Sequence, residues 1–521
     1  MRIVPGLSED RDPFVNISPV SVFSRTLVQG QEYFTITHRY VLGGGSVRIL
    51  VKKPANTLRV FCLGSSACAG WPHPPEETFS AYLQQALETA YPEKKIEVIN
   101  VAAHGFAAYR DRRVLDEVVQ MEPDAILVWE GNNEFLEDRN YDSHGAVIVA
   151  LSRRLRTVQW LRGAWSRRTE MKGDELKDAA QFFWKKTRQQ SLRLREDPEQ
   201  FAKVQAHFEQ SFAYMVHRAQ RQRVPIVLCT VPVNLRDWLP TVSRNRLLGE
   251  SLASWQEFYR EGQRALIEQR FDEGIRAMRS ALALESEHAE SYFWLGRLLE
   301  ANGQKAAAAD AFSRARDLDY NPFRALSSFN EALRRLANEN RNRGAFLLDL
   351  ESLFAGASRY AAPGFDLFLD YVHPTKQANL LVAQEAYGLF TRGGVMEARS
   401  APFTYRDRSV GPNGQPYSED RDMRLGFTAI KMATESRQYE AVVTKTEAIL
   451  ERMSGRPFSG PDDPAFLLCK PEVAERYRVF RAYLDVQRRK ILGQPLGGSE
   501  EQAVTRQLEQ FYEKWYPLGQ F

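Results

Sequence analysis

Apolar residues along this chain follow two periodicities, and the switches between them outline its architecture. The runs Leu58 to Leu63, Ile96 to Val101 and Ala125 to Glu130 are short and nearly continuous in apolar character, as strands buried on both faces are. Between the first two, Phe79, Tyr82, Leu83, Ala86 and Leu87 recur at i, i+3, i+4, i+7 and i+8, one face of a helix. A second helix runs through Arg113, Val114, Val118 and Val119 and stops before Pro123-Asp124. Two more strand-like runs, Pro225 to Val231 and Ala345 to Leu350, bring the set to five. Strands that alternate with helices predict an α/β fold built on a five-stranded parallel sheet with both faces covered.

Other segments depart from this alternation. Residues 1–55 read as a β-rich lead-in, with Tyr33 to Thr37 and Ser46 to Lys52 as half-exposed strands around a Gly43-Gly44-Gly45 turn. Residues 135–223 read as a helical lid within the first part of the α/β domain, 56–240. Inside it, Val147 to Trp165 sets Arg153, Arg154, Arg156 and Arg162 among Leu151, Leu155, Val158, Trp160 and Leu161. That pattern fits an amphipathic cover helix with a solvated basic face; contact of 147–165 with an anionic membrane surface is the less favoured alternative.

From about Trp255 to Pro322 a period of 34 residues takes over: Gly262 and Gly296, Ala281 and Ala315, and Leu284 and Leu318 are each 34 apart. The second unit carries Leu295-Gly296, Gly303, Ala308, Phe312 and Ala315, a pattern that resembles the tetratricopeptide repeat. The first unit has Gly274 and Met278 where alanine and phenylalanine are usual. Two repeats are too few for a free-standing solenoid, so this 241–330 insertion is expected to lean on a neighbour. The α/β domain then resumes over 331–396. Residues 397–420, with Pro402, Pro412, Gly414 and Pro416, read as a linker, and 421–521 as a helical C-terminal region. Within it Arg424 to Met453 reads as a helix pair and Gln502 to Trp515 as a last amphipathic helix.

Composition narrows the function classes. With 521 residues, 43% of them hydrophobic, the chain is globular and long enough for about three domains. Its 70 basic and 66 acidic residues nearly balance, which gives no reason to invoke nucleic acid. Cys62, Cys68, Cys229 and Cys469 show neither a disulfide framework nor a zinc spacing, and Cys62 and Cys229 lie inside apolar strand-like runs. There is no apolar signal region after Met1 and no run of about 18 apolar residues. The expected compartment is the cytoplasm.

The chemistry-bearing residues gather at the ends of the expected strands. Gly64-Ser65-Ser66 ends the first, His104-Gly105 follows the second, Gly131-Asn132-Asn133-Glu134 ends the third, and Asp370-Tyr371-Val372-His373 follows the fifth. The carboxyl ends of parallel strands are where open α/β sheets place their ligands. Gly64-Ser65-Ser66-Ala67-Cys68 lacks the second glycine of an α/β-hydrolase nucleophile elbow.

Taken together these four blocks resemble the SGNH (GDSL-like) hydrolase superfamily, over about residues 56–240 and 330–395, in a subgroup with inserted tetratricopeptide repeats. The resemblance implies a flavodoxin-like sheet and a metal- and cofactor-free acyl-enzyme mechanism. Ser66 would be the nucleophile, His373 its general base, and Asp370 the group that orients the histidine. The oxyanion hole would comprise the N–H of Ser66, the N–H of Gly105 and the side-chain amide of Asn133. Two positions depart from the family: Ser65 and Glu134 stand where it has aspartates. Trp71, His73 and His104 are expected to line the substrate pocket. The implied activity is that of an esterase or deacylase acting on an acyl ester. The alternatives are an acyltransferase that passes the acyl group to an alcohol or amine, and a non-catalytic scaffold. The repeat helices would brace their neighbours, bind a protein or carrier partner, or mediate self-association.

Overall fold

The computed structural model describes residues 22–36, 41, 47–136, 189, 191–406 and 418–515. The Gly43-Gly44-Gly45 turn, the 147–165 helix, most of the expected lid and residues 407–417 of the expected linker lie outside them. Three strands come first among the described residues: β1 (Phe23–Val28), β2 (Gln31–Ile36) and β3 (Arg48–Leu50), paired antiparallel in that order. β1 is an addition to the two strands expected here. Its side chains alternate between inward and solvent-facing positions, and Ser24, Arg25 and Thr26 interrupt the apolar run that would have marked it.

The main sheet is five-stranded and wholly parallel. It consists of β4 (Thr57–Gly64), β5 (Lys95–Asn100), β6 (Ala125–Trp129), β7 (Ile226–Cys229) and β8 (Ala345–Leu348), in the order β5-β4-β6-β7-β8. Every residue of β6 and β7 is buried, which is why these strands read as unbroken apolar runs. β8 stops short of Leu350 because the Asp349 side chain accepts the N–H of Ser352 and starts a helix instead. The winding reverses between β4 and β6, so the sheet has its topological switch point there.

Two rows of helices flank the sheet. After β4 come the single turn α1 (Ser66–Ala69) and then α2 (Phe79–Ala90); α3 (Ala108–Val118) follows β5, and α4 (Pro198–Arg221) precedes β7. Between β7 and β8 lie α5 (Gly249–Ile267), α6 (Phe271–Leu284), α7 (Ala289–Ala301), α8 (Lys305–Asp317) and α9 (Ser327–Glu339). After β8 come α10 (Leu350–Ala357) and α11 (Lys376–Arg392). α2 packs on α11, while α3, α4 and α9 form the other row.

α5 with α6, and α7 with α8, form helix hairpins that do not belong to either row. The 34-residue period has a packing cause. A Cβ on Gly262 would lie 2.5 Å from Met278, and one on Gly296 would lie 2.8 Å from the Phe312 ring. In each hairpin a glycine on the first helix admits a large side chain from the second. Gly274 similarly receives Leu298 from the next hairpin. The C-terminal helices α12 (Ser418–Glu435), α13 (Tyr439–Ser454), α14 (Pro471–Ile491) and α15 (Glu500–Trp515) pack in succession. α14 rests on α5, where Arg264 Nε donates to the Ile491 carbonyl at 3.0 Å. No helix among the described residues is long and apolar enough to cross a membrane.

The two kinds of glycine make opposite predictions for thermal and urea denaturation. Gly296→Val drives a branched side chain into Phe312 and is expected to destabilise by about 2–3 kcal/mol. Gly356→Ala, at an exposed position of α10 where a Cβ meets nothing within 4 Å, is expected to stabilise by about 0.5–1 kcal/mol.

Candidate active site

Ser66 owes its place to a turn that only glycine permits. Gly64 has φ 147°, and a Cβ there would stand 2.1 Å from the Trp129 carbonyl oxygen on the neighbouring strand. The chain therefore leaves β4 tight against β6, and Ser66 begins α1 at once. Asn100, the last residue of β5, fixes that turn by donating from Nδ2 to the Cys68 carbonyl at 2.9 Å and the Ser80 hydroxyl at 3.1 Å. Ser66 itself is half-buried.

Asp370 and His373 come from one tight turn beyond β8. Asp370 Oδ1 accepts the backbone N–H groups of Val372 and His373, each at 2.9 Å, and Oδ2 accepts from His373 Nδ1 at 2.6 Å. A carboxylate only accepts, so Nδ1 carries the proton and Nε2 is left with a lone pair. That nitrogen lies 2.8 Å from Ser66 Oγ, whose hydroxyl donates to it. Asp370 is 1% exposed. Burial pushes its carboxyl up, but the His373 charge and hydrogen bond and the two backbone donors outweigh this and hold it below the usual carboxylate range.

The other donors flank this chain of bonds. Gly105 has φ 69°, nothing within 4 Å of the place a Cβ would take, and an N–H without an acceptor among the described residues. Asn133 donates from Nδ2 to the Phe106 carbonyl at 2.7 Å, which ties the loop after β6 to the loop after β5 and leaves the second proton of the amide for another acceptor. Glu134, one of the two departures from the family pattern, accepts the Ala108 N–H at 2.7 Å. Its carboxylate sits at the start of α3, where the helix dipole favours negative charge.

Of the three residues expected to line a pocket, two adjoin the serine's partner. The Trp71 ring is edge-on to His373 at 4.6 Å and to His104 at 5.6 Å between centroids. His104 is pushed down to about 4 by burial and by the nearby His373 charge, so its imidazole is neutral at pH 7. His73 is buried, and its Nε2 donates to the Pro374 carbonyl at 2.9 Å, which braces the histidine turn.

The sequence reading missed Asn234, on the loop after β7. It is fully buried; its Nδ2 donates to the Asp370 carbonyl and its N–H to the Tyr371 carbonyl, both at 2.9 Å. The Asp370 and Tyr371 carbonyls of this turn are thus held from outside. An asparagine in a proline-rich loop carries no signal for such a role, because its partners are main-chain atoms. Among the described residues, no group of three or more His, Cys, Asp or Glu side chains is placed to hold a metal ion. No known protein family matches the sequence, and no curated protein is significantly similar to it.

The depressed Asp370 carboxyl predicts a pH signature. A carboxyl whose folded pKa lies below its unfolded value, about 3.9, adds stability above that value and loses it as pH falls through the folded one. Urea denaturation should find Asp370→Asn less stable than wild type at pH 7. The gap should close as the pH is lowered past about 4.

Proposed function

We propose that this protein is a serine hydrolase of the SGNH type that cleaves a carboxylic ester through an acyl-enzyme. The observation that carries the reading is the unbroken chain of hydrogen bonds from Ser66 Oγ through His373 to Asp370, 2.8 and 2.6 Å long. A serine hydroxyl is a poor nucleophile until a base within such reach removes its proton. Nε2 of His373 takes that proton as Oγ attacks the ester carbonyl. Asp370 steadies the imidazolium that forms. The oxyanion is received by the N–H groups of Ser66 and Gly105 and by the spare amide proton of Asn133. His373 then gives its proton to the departing alkoxide, and the ester C–O bond breaks to leave the acyl group on Ser66. Water, deprotonated by the same imidazole, releases the acid and restores Ser66. Trp71 and neutral His104 border the substrate.

In this reading the two helix hairpins are tetratricopeptide repeats grafted onto the hydrolase. They carry the same small-against-large packing at a 34-residue spacing, and α14 supplies the neighbour that two repeats need.

The test is labelling of the full-length protein with a fluorophosphonate, together with turnover of a short-chain aryl ester. Wild type is expected to be labelled at Ser66, and both Ser66→Ala and His373→Ala to abolish labelling. Asn133→Ala should lower ester turnover about 10²–10³-fold through the lost oxyanion donor. Folded wild type that neither labels nor turns over the ester would overturn the reading in favour of a binding scaffold. Product partition with added alcohols or amines separates hydrolysis from acyl transfer.

A further inference from the structure

The segment 318–326, where the chain leaves the inserted hairpins and heads for α9, makes more contact with the site loops than a connector requires. Arg324 is 4% exposed, and its Nη1 donates to the carbonyls of Asn234 at 2.8 Å and Trp238 at 3.0 Å. Asn234 is the residue that holds the Asp370 and Tyr371 carbonyls of the acid–base turn. The next residue, Ala325, donates its N–H at 3.0 Å to Oδ1 of Asn132, the neighbour of Asn133. The Ala325 carbonyl is in turn held at 2.9 Å by Nη1 of Arg316, a buried residue of α8. Two consecutive residues on one strut therefore reach the loop that fixes the base and the loop that bears the amide donor.

The strut is anchored at its other end. Asp319, also buried, accepts the N–H groups of Thr241, Val242 and Asn321 at 2.7, 3.0 and 2.9 Å, and its carboxylate lies 3.7 Å from Arg324 Nη2. Placing a guanidinium at this depth is unfavourable unless its charge and donors are matched. Here the Asp319 carboxylate offsets the charge and two carbonyls take the Nη1 protons, while Nη2 faces the carboxylate without a hydrogen bond among the described residues.

We propose that Arg324 is a positioning residue for the reaction above: from the exit of the helical insertion it keeps the acid–base turn in register with the oxyanion loop. This rests on the hydrolase reading and deepens it. It assigns the insertion a part in the geometry of the site, through a side chain that touches neither substrate nor reacting atoms. Replacing Arg324 leaves the Asn234 and Trp238 carbonyls without their donor inside the protein. The Asn234 loop is then free to relax, and with it the Asp370 and Tyr371 carbonyls.

The test uses the full-length chain and Arg324→Met, which keeps much of the side-chain volume without the donors. Its readouts are the maximal rate and half-saturation of fluorophosphonate labelling, measured well below the melting temperature of the variant. The expected result is a tenfold or greater fall in maximal rate with half-saturation changed less than threefold, and substantial recovery in Arg324→Lys. A folded variant with a lowered Tm but a wild-type maximal rate overturns the proposal, since that is what a purely structural role produces. Should Arg324→Met fail to fold, Arg324→Lys is read in its place. It retains the charge beside Asp319 without the planar fork, so a smaller fall in rate is expected, and an unchanged rate overturns the proposal.

A second readout separates this proposal from the hydrolase reading. The low-field proton resonance of the His373 Nδ1–H bonded to Asp370 reports the geometry of the turn whether or not the protein labels. Its loss or marked shift in the folded variant supports positioning even in an unreactive protein. An unmoved resonance together with an unmoved rate overturns it.

Discussion

Much of the candidate site depends on one buried negative charge. Asp370 is removed from water, and several kcal/mol would oppose its ionisation if nothing compensated it. The compensation comes from three N–H donors, two of them on the backbone of its own turn. Asp370 must therefore fold back over Val372 and His373, and the same geometry aims its second oxygen at the imidazole. Once Nδ1 is committed to that bond, the tautomer is decided, and the lone pair on Nε2 faces Ser66. A local turn of four residues thus determines the proton inventory at a hydroxyl distant in sequence.

The sheet explains how residues so far apart in the chain meet, although it does not bring all of them together directly. Ser66 and Asn133 follow β4 and β6, adjacent strands on either side of the switch point. His373 follows β8, at the far edge, and has to travel back across the carboxyl ends of the strands. The loop after β7 serves as the shelf for that return. Asn234 holds the Asp370 and Tyr371 carbonyls, Leu235 and Arg236 donate to the Pro363 carbonyl, and Asp237 accepts the Phe365 N–H. The shelf is itself braced from outside the α/β layers. Arg236 bonds Glu300 on α7, and the Lys445 ammonium on α13 lies 3.7 Å from the centre of the Phe365 ring.

This division between sheet and shelf also explains what could be read from the sequence. The inner strands β6 and β7 were legible because burial on both faces removes the polar alternation and leaves continuous apolar runs, and the edge strands β5 and β8 by their short β-forming runs in a strand–helix alternation. Ser66, Gly105, Asn133, Asp370 and His373 stood out by type and by position at strand ends, and His373 lies within hydrogen-bond reach of both Ser66 and Asp370. β1 was missed because its polar residues break the apolar run. Asn234 and Arg324 were invisible for a different reason. Both act on main-chain carbonyls, which every residue possesses, so no partner type or spacing marks them. His73 shows the converse limit: nearness to the serine in sequence says nothing about where a ring points, and this one turns to the Pro374 carbonyl.

The same separation of position from environment bears on which nucleophile the site can use. Cys68 lies two residues beyond Ser66, and thiols are intrinsically the better nucleophiles when ionised. Cys68 is fully buried, and its Sγ–H is 3.2 Å from the Leu63 carbonyl. Burial pushes its thiol well above the ordinary value. Cys62 is pushed up to about 12 by burial alone. Neither thiol ionises near neutral pH, and Cys68 already spends its proton on a backbone carbonyl of β4. Ser66, half-buried at the start of α1 and donating to a basic nitrogen, has the access and the partner that the cysteine lacks. On the hydrolase reading, the fold favours the weaker intrinsic nucleophile, half-exposing its hydroxyl and placing an imidazole nitrogen beside it.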